Sequence, residues 1–274
     1  MTTDESAPPG VDITRPSIAR VYDFMLGGKD NFAVDRRAGE MALKITPDGP
    51  EAALANRAFL RRVVRFLVAE AGIRQFLDFG SGLPSQGNVH EIAHEIDASV
   101  RVVYVDNDPM VLAHARALLT GTHTTTVVQA DIRQPDSVLT HPEVRQFIDF
   151  TQPVGLLLVA ILHHLNDHED PGGAAARLRS ALAPGSYLAI SHFHNPGDAH
   201  VDAARKALEV EKIFNQTLGT GRWRTMPEIL SYFGELELLE PGVVPLAEWR
   251  PGGEPPPDQT DTYYTFVGGV ARTP

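Results

Sequence analysis

Apolar residues in this chain follow two rhythms. Near the start they recur every three or four positions. Leu60, Val63, Val64, Leu67 and Ala71 draw one stripe along residues 51–71, which predicts a long amphipathic helix closed by Gly72. Shorter helices are predicted over 17–26, ending at Gly27-Gly28, and over 33–45, ahead of the breaker Pro47-Asp48-Gly49-Pro50. From residue 75 the rhythm changes. Short apolar or β-branched runs at 75–79, 101–105, 125–129, 154–161 and 186–191 read as strands. The segments between them, 89–96, 109–119, 136–150 and 174–182, read as helices. The run from Val154 to Ile161 lacks polar side chains, as a central strand buried on both faces requires. A long helix follows over 198–218, and Thr225-Met226-Pro227-Glu228 fits a capping box opening a helix to Phe233. Strands at 235–239 and 263–270 have no helix between them, only a Pro/Gly-rich loop at 250–258.

This alternation predicts an α/β protein with a Rossmann-like, mostly parallel seven-stranded sheet, a terminal antiparallel hairpin and extra N-terminal helices. Residues 1–15 read as a disordered tail, 16–72 as a helical lid or cap, and 73–274 as the core. The length of 274 residues suits one large domain, and its absence of cysteine excludes disulfides, Cys-ligated metals and a cysteine nucleophile. The net charge of −11 disfavours nonspecific nucleic-acid binding. Arg57, Arg61, Arg62 and Arg65 recur at helical spacing and read as a solvated helix face. The polar N-terminus lacks a secretory pattern, and the longest apolar run is too short for a bilayer. The expectation is a cytoplasmic protein with neither a membrane nor a nucleic-acid partner.

Candidate chemistry gathers at three strand ends. Asp78-Phe79-Gly80-Ser81-Gly82 follows the first strand, and glycines there let the backbone turn and approach a ligand. Asp106 ends the second strand, where a carboxylate can accept hydrogen bonds from both hydroxyls of an adenosine ribose, while Asp108 caps the next helix. Asp131 ends the third, where it can accept from an adenine amino group with Ile132 against the ring. A nicotinamide dinucleotide fits less well. The third small position of its fingerprint is Ser85, after Pro84, and Asp106 lies 26 positions beyond Gly80.

Several segments resemble one family: RPSIARVYDFMLGGKDN at 15–31, LDFGSGLPSQGNVHE at 77–91, VVYVDNDPMVLAHARALL at 102–119, ADIRQP at 130–135, LLLVAILHHLND at 156–167 and GSYLAISH at 185–192. The chain resembles the S-adenosyl methyltransferases that long carried a domain-of-unknown-function label, from about Arg15 to Arg272. The resemblance implies a class I methyltransferase fold and S-adenosylmethionine as cofactor, leaving S-adenosylhomocysteine as product. It implies no particular substrate. Carried over by motif, Gly80, Ser81 and Gly82 line the methionine end and Asp106 holds the ribose. Asn107 and Met110 lie near the adenosine, and Asp131 and Ile132 flank adenine. Ala160 and Leu162 face the cofactor, and Tyr22, Met25, Gly28 and Asn31 close over it.

Methyl transfer from a sulfonium needs alignment above all, and a base only where the acceptor carries a departing proton. His163, His164, His192 and His194 fall at predicted strand ends, and His163 is the candidate base. No metal site is expected. Ala160-Ile161-Leu162-His163 stands where amino-methylating DNA enzymes carry an Asp/Asn-Pro-Pro-Tyr/Phe motif, so a small-molecule acceptor is expected. Two alternatives remain open at this point: a noncatalytic sensor of S-adenosylmethionine or S-adenosylhomocysteine, and an NAD-dependent oxidoreductase.

Overall fold

The computed structural model describes residues 11–84, 87–119, 122–253 and 257–274. Most of the expected tail, the Ser85 position and part of the 250–258 loop therefore lie outside the described residues. The helices are α1 (Ile18–Met25), α2 (Ala33–Leu43), α3 (Gly49–Ala69), α4 (Val89–His94), α5 (Pro109–Leu118), α6 (Pro135–Leu139), α7 (Pro142–Phe147), α8 (Pro171–Arg179), α9 (Val201–Thr217), α10 (Met226–Ser231) and α11 (Asp261–Tyr264). The strands are β1 (Gln75–Phe79), β2 (Arg101–Asp106), β3 (Thr125–Gln129), β4 (Gly155–Val159), β5 (Tyr187–Phe193), β6 (Glu237–Leu238), β7 (Val244–Pro245) and β8 (Phe266–Arg272).

The sheet order is β3-β2-β1-β4-β5-β8-β6, with β7 also paired to β8. The first five are parallel, and β8 runs antiparallel to β5, β6 and β7. The expected seven strands are thus eight, because the sheet edge beyond β8 is shared by two short strands on either side of a turn at Pro241-Gly242. Both faces of the sheet are covered. Leu157 joins a cluster with Phe59, Val63, Leu67 and Val102, while Leu156 and Leu158 join Leu77, Val103 and Val105 on the other face. The alternation of strand side chains between faces makes the unbroken apolar run at 154–159 necessary.

Three expected elements differ in detail. The helix over 136–150 is two helices, broken at His141-Pro142, since proline there removes an N–H donor and crowds the preceding turn. The strand expected from Tyr263 starts at Phe266, because Asp261–Tyr264 closes a helical turn first. A 3-10 turn at Gly197–His200 precedes α9.

The N-terminal region divides into two parts. Helix α3 buries Phe59, Leu60, Val63, Val64, Leu67 and Val68 against the sheet and belongs to its covering layer. Truncating a ring such as Phe59, fully buried, costs about 3–5 kcal/mol. The α1–α2 hairpin lies further out. Gly27, at φ +75, turns the chain out of α1, as a glycine after a helix C-cap does. Asp35 pins the hairpin: it pairs with Arg20 at 2.8 Å and accepts from the backbone N–H groups of Ser17 and Phe32.

Candidate active site

Between β3 and β4 the chain crosses from one edge of the parallel sheet to the far side of β1. Open α/β sheets bind ligands at such a switch point, beyond the carboxyl ends of the strands. A cavity of about 670 Å³ lies there, walled by the ends of β1, β2, β4 and β5 and by α1, α3 and α9.

At one end, Gly80 adopts φ +67 and donates its N–H to Val105 O at 2.8 Å, which folds the glycine loop over the tip of β2. A Cβ at this position would sit 2.6 Å from the Ile161 side chain, so only glycine fits. Asp106 is 9% exposed and accepts from Gly82 N–H at 3.0 Å and Asp108 N–H at 2.9 Å. Burial raises its pKa, and those two hydrogen bonds oppose the rise. Asp108 caps α5 as expected, accepting from Met110 N–H at 2.8 Å, and takes a second bond from the Ser17 hydroxyl at 2.5 Å.

Asp78 differs from these acids. It is 6% exposed, lines the cavity, and accepts no hydrogen bond from the described residues. Burial pushes its carboxyl up to about 7, with nearby Arg57 opposing the rise and Asp106 adding to it. An unpartnered buried carboxylate is costly unless a cation reaches it. Arg57 also lines the cavity and donates to Gly87 O at 2.8 Å.

The four arginines of α3 do not form one solvated face. Arg61 and Arg65 pair with Glu95 in solvent, but Arg62 donates to the carbonyls of Leu246 and Trp249, and Arg57 faces the cavity.

The tip of β4 carries the next feature. Ala160 has φ 58, and its N–H donates to Ser191 Oγ at 2.9 Å. The Ser191 hydroxyl donates to Asn56 Oδ1 at 2.6 Å, Asn56 Nδ2 donates to the Tyr22 oxygen at 3.0 Å, and the Tyr22 hydroxyl donates to Ala53 O at 3.1 Å. This buried chain ties α1 through α3 to the ends of β4 and β5. It accounts for a strained non-glycine backbone being held in place.

The opposite end is aromatic. Phe193 stacks on His163, with centroids 3.6 Å apart, and on Trp223, 4.2 Å apart. The β5–β8 register sets Phe193 beside Phe266, and Phe214 and Val210 of α9 complete the wall. The Phe193 N–H donates to His163 Nδ1 at 3.2 Å, so the neutral ring carries its proton on Nε2. Burial holds the His163 pKa well below the ordinary value, helped by His164, His192 and Arg224. Burial alone brings His164 to about 3. Neither arrangement suits a general base at neutral pH, because the Nδ1 lone pair of His163 is engaged. His192 is fully buried between Phe193 O and Arg224, and His194 contacts Tyr264 O.

Of the residues picked from the sequence, Tyr22, Met25, Asp78, Gly80, Ser81, Gly82, Asp106, Asn107, Ala160 and His163 line this one cavity. Six do not. Gly28 and Asn31 shape the α1–α2 turn, where Asn31 Nδ2 donates to Asp23 and to Gly28 O. Met110 packs with Leu83 and Val111. Asp131 turns to Arg133, which bridges it to Glu169, and that hydrogen bond lowers its pKa. Ile132 and Leu162 lie in the apolar layer on the sheet's other face. Arg57, Trp223, Phe193 and the α9 residues Ala207, Val210 and Phe214 were not legible as site residues. No local motif marks them, and only the tertiary fold gathers them.

A mostly parallel sheet with an antiparallel outer strand, a glycine turn after β1 and an acid ending β2 define the class I methyltransferase fold. Residues 4–274 match the S-adenosyl methyltransferase family, and the chain belongs to it. It is similar to a methyltransferase candidate of Thermobifida fusca YX, at 45% identity over 97% of this chain and 98% of that one, with a TM-score of 0.91. It is also similar to a DUF574 family protein of Streptomyces avermitilis MA-4680, at 38% identity over 96% and 99%, with a TM-score of 0.89. A SAM-dependent methyltransferase of Anabaena variabilis ATCC 29413, at 16% identity over 80% and 84% with a TM-score of 0.52, shares the fold. No curated protein matches the sequence significantly. The chain is therefore an S-adenosylmethionine-dependent methyltransferase by family, which displaces the oxidoreductase reading. No helix among the described residues is long and apolar enough to cross a membrane.

Proposed function

We propose that the chain transfers the methyl group of S-adenosylmethionine to a small organic molecule. The observation that carries this reading is the single cavity of about 670 Å³, which joins the acidic glycine loop to the aromatic wall. Its size falls within the range of small-molecule sites, roughly 300–1,000 Å³.

The cofactor's polar groups match the walls. The unpartnered Asp78 carboxylate suits the methionine ammonium, and Arg57 suits the carboxylate. Gly80, Ser81 and Gly82 let the backbone approach the methionine chain. Asp106 suits the ribose hydroxyls, with Asn107 beside it. When bound, S-adenosylmethionine supplies a methyl group already activated on positive sulfur, so the chain's own task is alignment. Neighbouring strands lie about 4.8 Å apart, so the tips of β2 and β5, three spacings apart, are separated by roughly 14 Å. Asp106 and Asp78 would hold the cofactor's polar groups along this line, leaving Ala160 at the tip of β4 and the aromatic wall beyond it. Asp131 and Ile132 have no part in this arrangement. Tyr22 and Met25 cover it from α1.

The test is transfer of labelled methyl to pools of small molecules, proteins and nucleic acids. Label in the small-molecule pool supports the reading, and label confined to protein or nucleic acid overturns it.

A further inference from the structure

The aromatic end of the cavity has a wall chemistry of its own. Phe193, Phe214, Trp223 and Val210 supply ring faces, ring edges and an aliphatic surface. His163 and His164 stay uncharged there, held so by burial. The charged side chains that line the cavity beside α9, Lys206 and Asp261, are paired with each other. Asp78, Asp106 and Arg57 stand at β1, β2 and α3, on the cofactor side. A charged group entering the aromatic end would therefore lose its hydration and gain no opposite charge. Against ring walls, a planar π-system gains edge and stacking contacts that a saturated ring does not.

One polar atom adds direction. With Nδ1 of His163 accepting from Phe193 N–H, Nε2 carries the proton, and no protein group among the described residues accepts it. A donor left unmet is costly, and a ligand in the cavity is its available partner.

We infer that the methyl acceptor is an uncharged planar ring compound that lies in the aromatic end and offers a lone-pair oxygen or nitrogen to His163 Nε2–H. This rests on the methyltransferase reading of the same cavity. It makes His163 an orienting donor and leaves the methylated atom to be aligned by the ring's seat against the edge of the stacked Phe193–Trp223 pair and α9.

The experiment uses the full chain saturated with S-adenosylhomocysteine, after calorimetry has established that this product binds. Equilibrium dialysis then compares 2-naphthol (planar, uncharged), 2-naphthoate (planar, charged) and trans-2-decalol (uncharged, saturated). The expected result is 2-naphthol binding about tenfold more tightly than either of the others. His163→Phe, which keeps a ring but loses the N–H, should remove much of that advantage. Ala207→Phe, which fills the aromatic end, should abolish naphthol binding and leave S-adenosylhomocysteine affinity unchanged. Equal or preferred binding of 2-naphthoate or trans-2-decalol would overturn the inference, as would no naphthol binding by protein that holds S-adenosylhomocysteine. Failure to bind S-adenosylhomocysteine itself would overturn the proposed function, and this inference with it.

Discussion

The two ends of the cavity are built by opposite strategies. The end proposed for the cofactor uses backbone geometry and buried acids at the tips of consecutive strands, with Gly80 and Asp106 both placed by the sheet itself. The end proposed for the acceptor uses side-chain bulk gathered from β5, α9 and the segment that follows it, with its histidines kept neutral. The first strategy suits a ligand whose shape does not vary. The second leaves the acceptor free to change, since no backbone turn depends on Ala207, Val210 or Trp223. A substitution should therefore affect one end and spare the other.

The largest effect is expected at Gly80→Ala. The new Cβ both strains a φ of +67 and meets Ile161. The strain alone costs about 1–3 kcal/mol, read as a lower Tm, and the displaced loop should abolish measurable cofactor binding. Retained binding would mean that the loop is not the cofactor's seat. Asp106→Ala comes next: S-adenosylmethionine affinity should fall about 10- to 100-fold, or roughly 1.5–3 kcal/mol, by calorimetry.

Asp78 offers a sharper test because it links binding to pH. Its carboxyl, near 7 in the folded chain against 3.8 ordinarily, must be ionised to meet an ammonium. Affinity for S-adenosylmethionine should drop by at least about tenfold from pH 7.5 to 5.5, and Asp78→Asn should flatten that profile. The same raised pKa makes ionisation a cost to the native state, so the wild-type chain without ligand loses stability as pH climbs from about 4 to 7. Asp78→Asn should then raise stability at pH 8 by on the order of 4 kcal/mol, read as a higher Tm, and change it little at pH 4. A variant equally stabilised at both would argue against a buried charge. The smallest effect is expected at Tyr22→Phe. It removes the hydroxyl between Asn56 and Ala53, and should cost about 1 kcal/mol of stability while loosening α1, read as faster proteolysis near residues 15–45.

The same contrast explains what could be read from the sequence. The parallel strands were legible because their middles are buried on both faces and run apolar or β-branched, most completely in β4. The cofactor acids were legible because they sit beside those runs. Asp131 stands outside the cavity lining, with its carboxylate on Arg133 two residues on, a pairing that strand-end position does not reveal. Leu162 was misplaced because Ala160 turns the chain through a positive φ and the following 3-10 turn sends Leu162 into the opposite layer. Arg57 read as surface because helical periodicity cannot show that one turn of α3 overhangs a cavity. The aromatic wall was invisible because Phe193 and Trp223 lie 30 residues apart and meet through a backbone bridge between the end of β5 and Arg224 that no local pattern announces.

The most direct measurement is calorimetric titration of S-adenosylhomocysteine into the wild-type chain, Asp106→Ala and Ala207→Phe under one set of conditions. The account predicts strong binding by the first, about 10- to 100-fold weaker binding by the second, and wild-type affinity in the third. Equal affinity in Asp106→Ala, or parallel losses in both variants, would contradict a cavity with a separate end for each substrate.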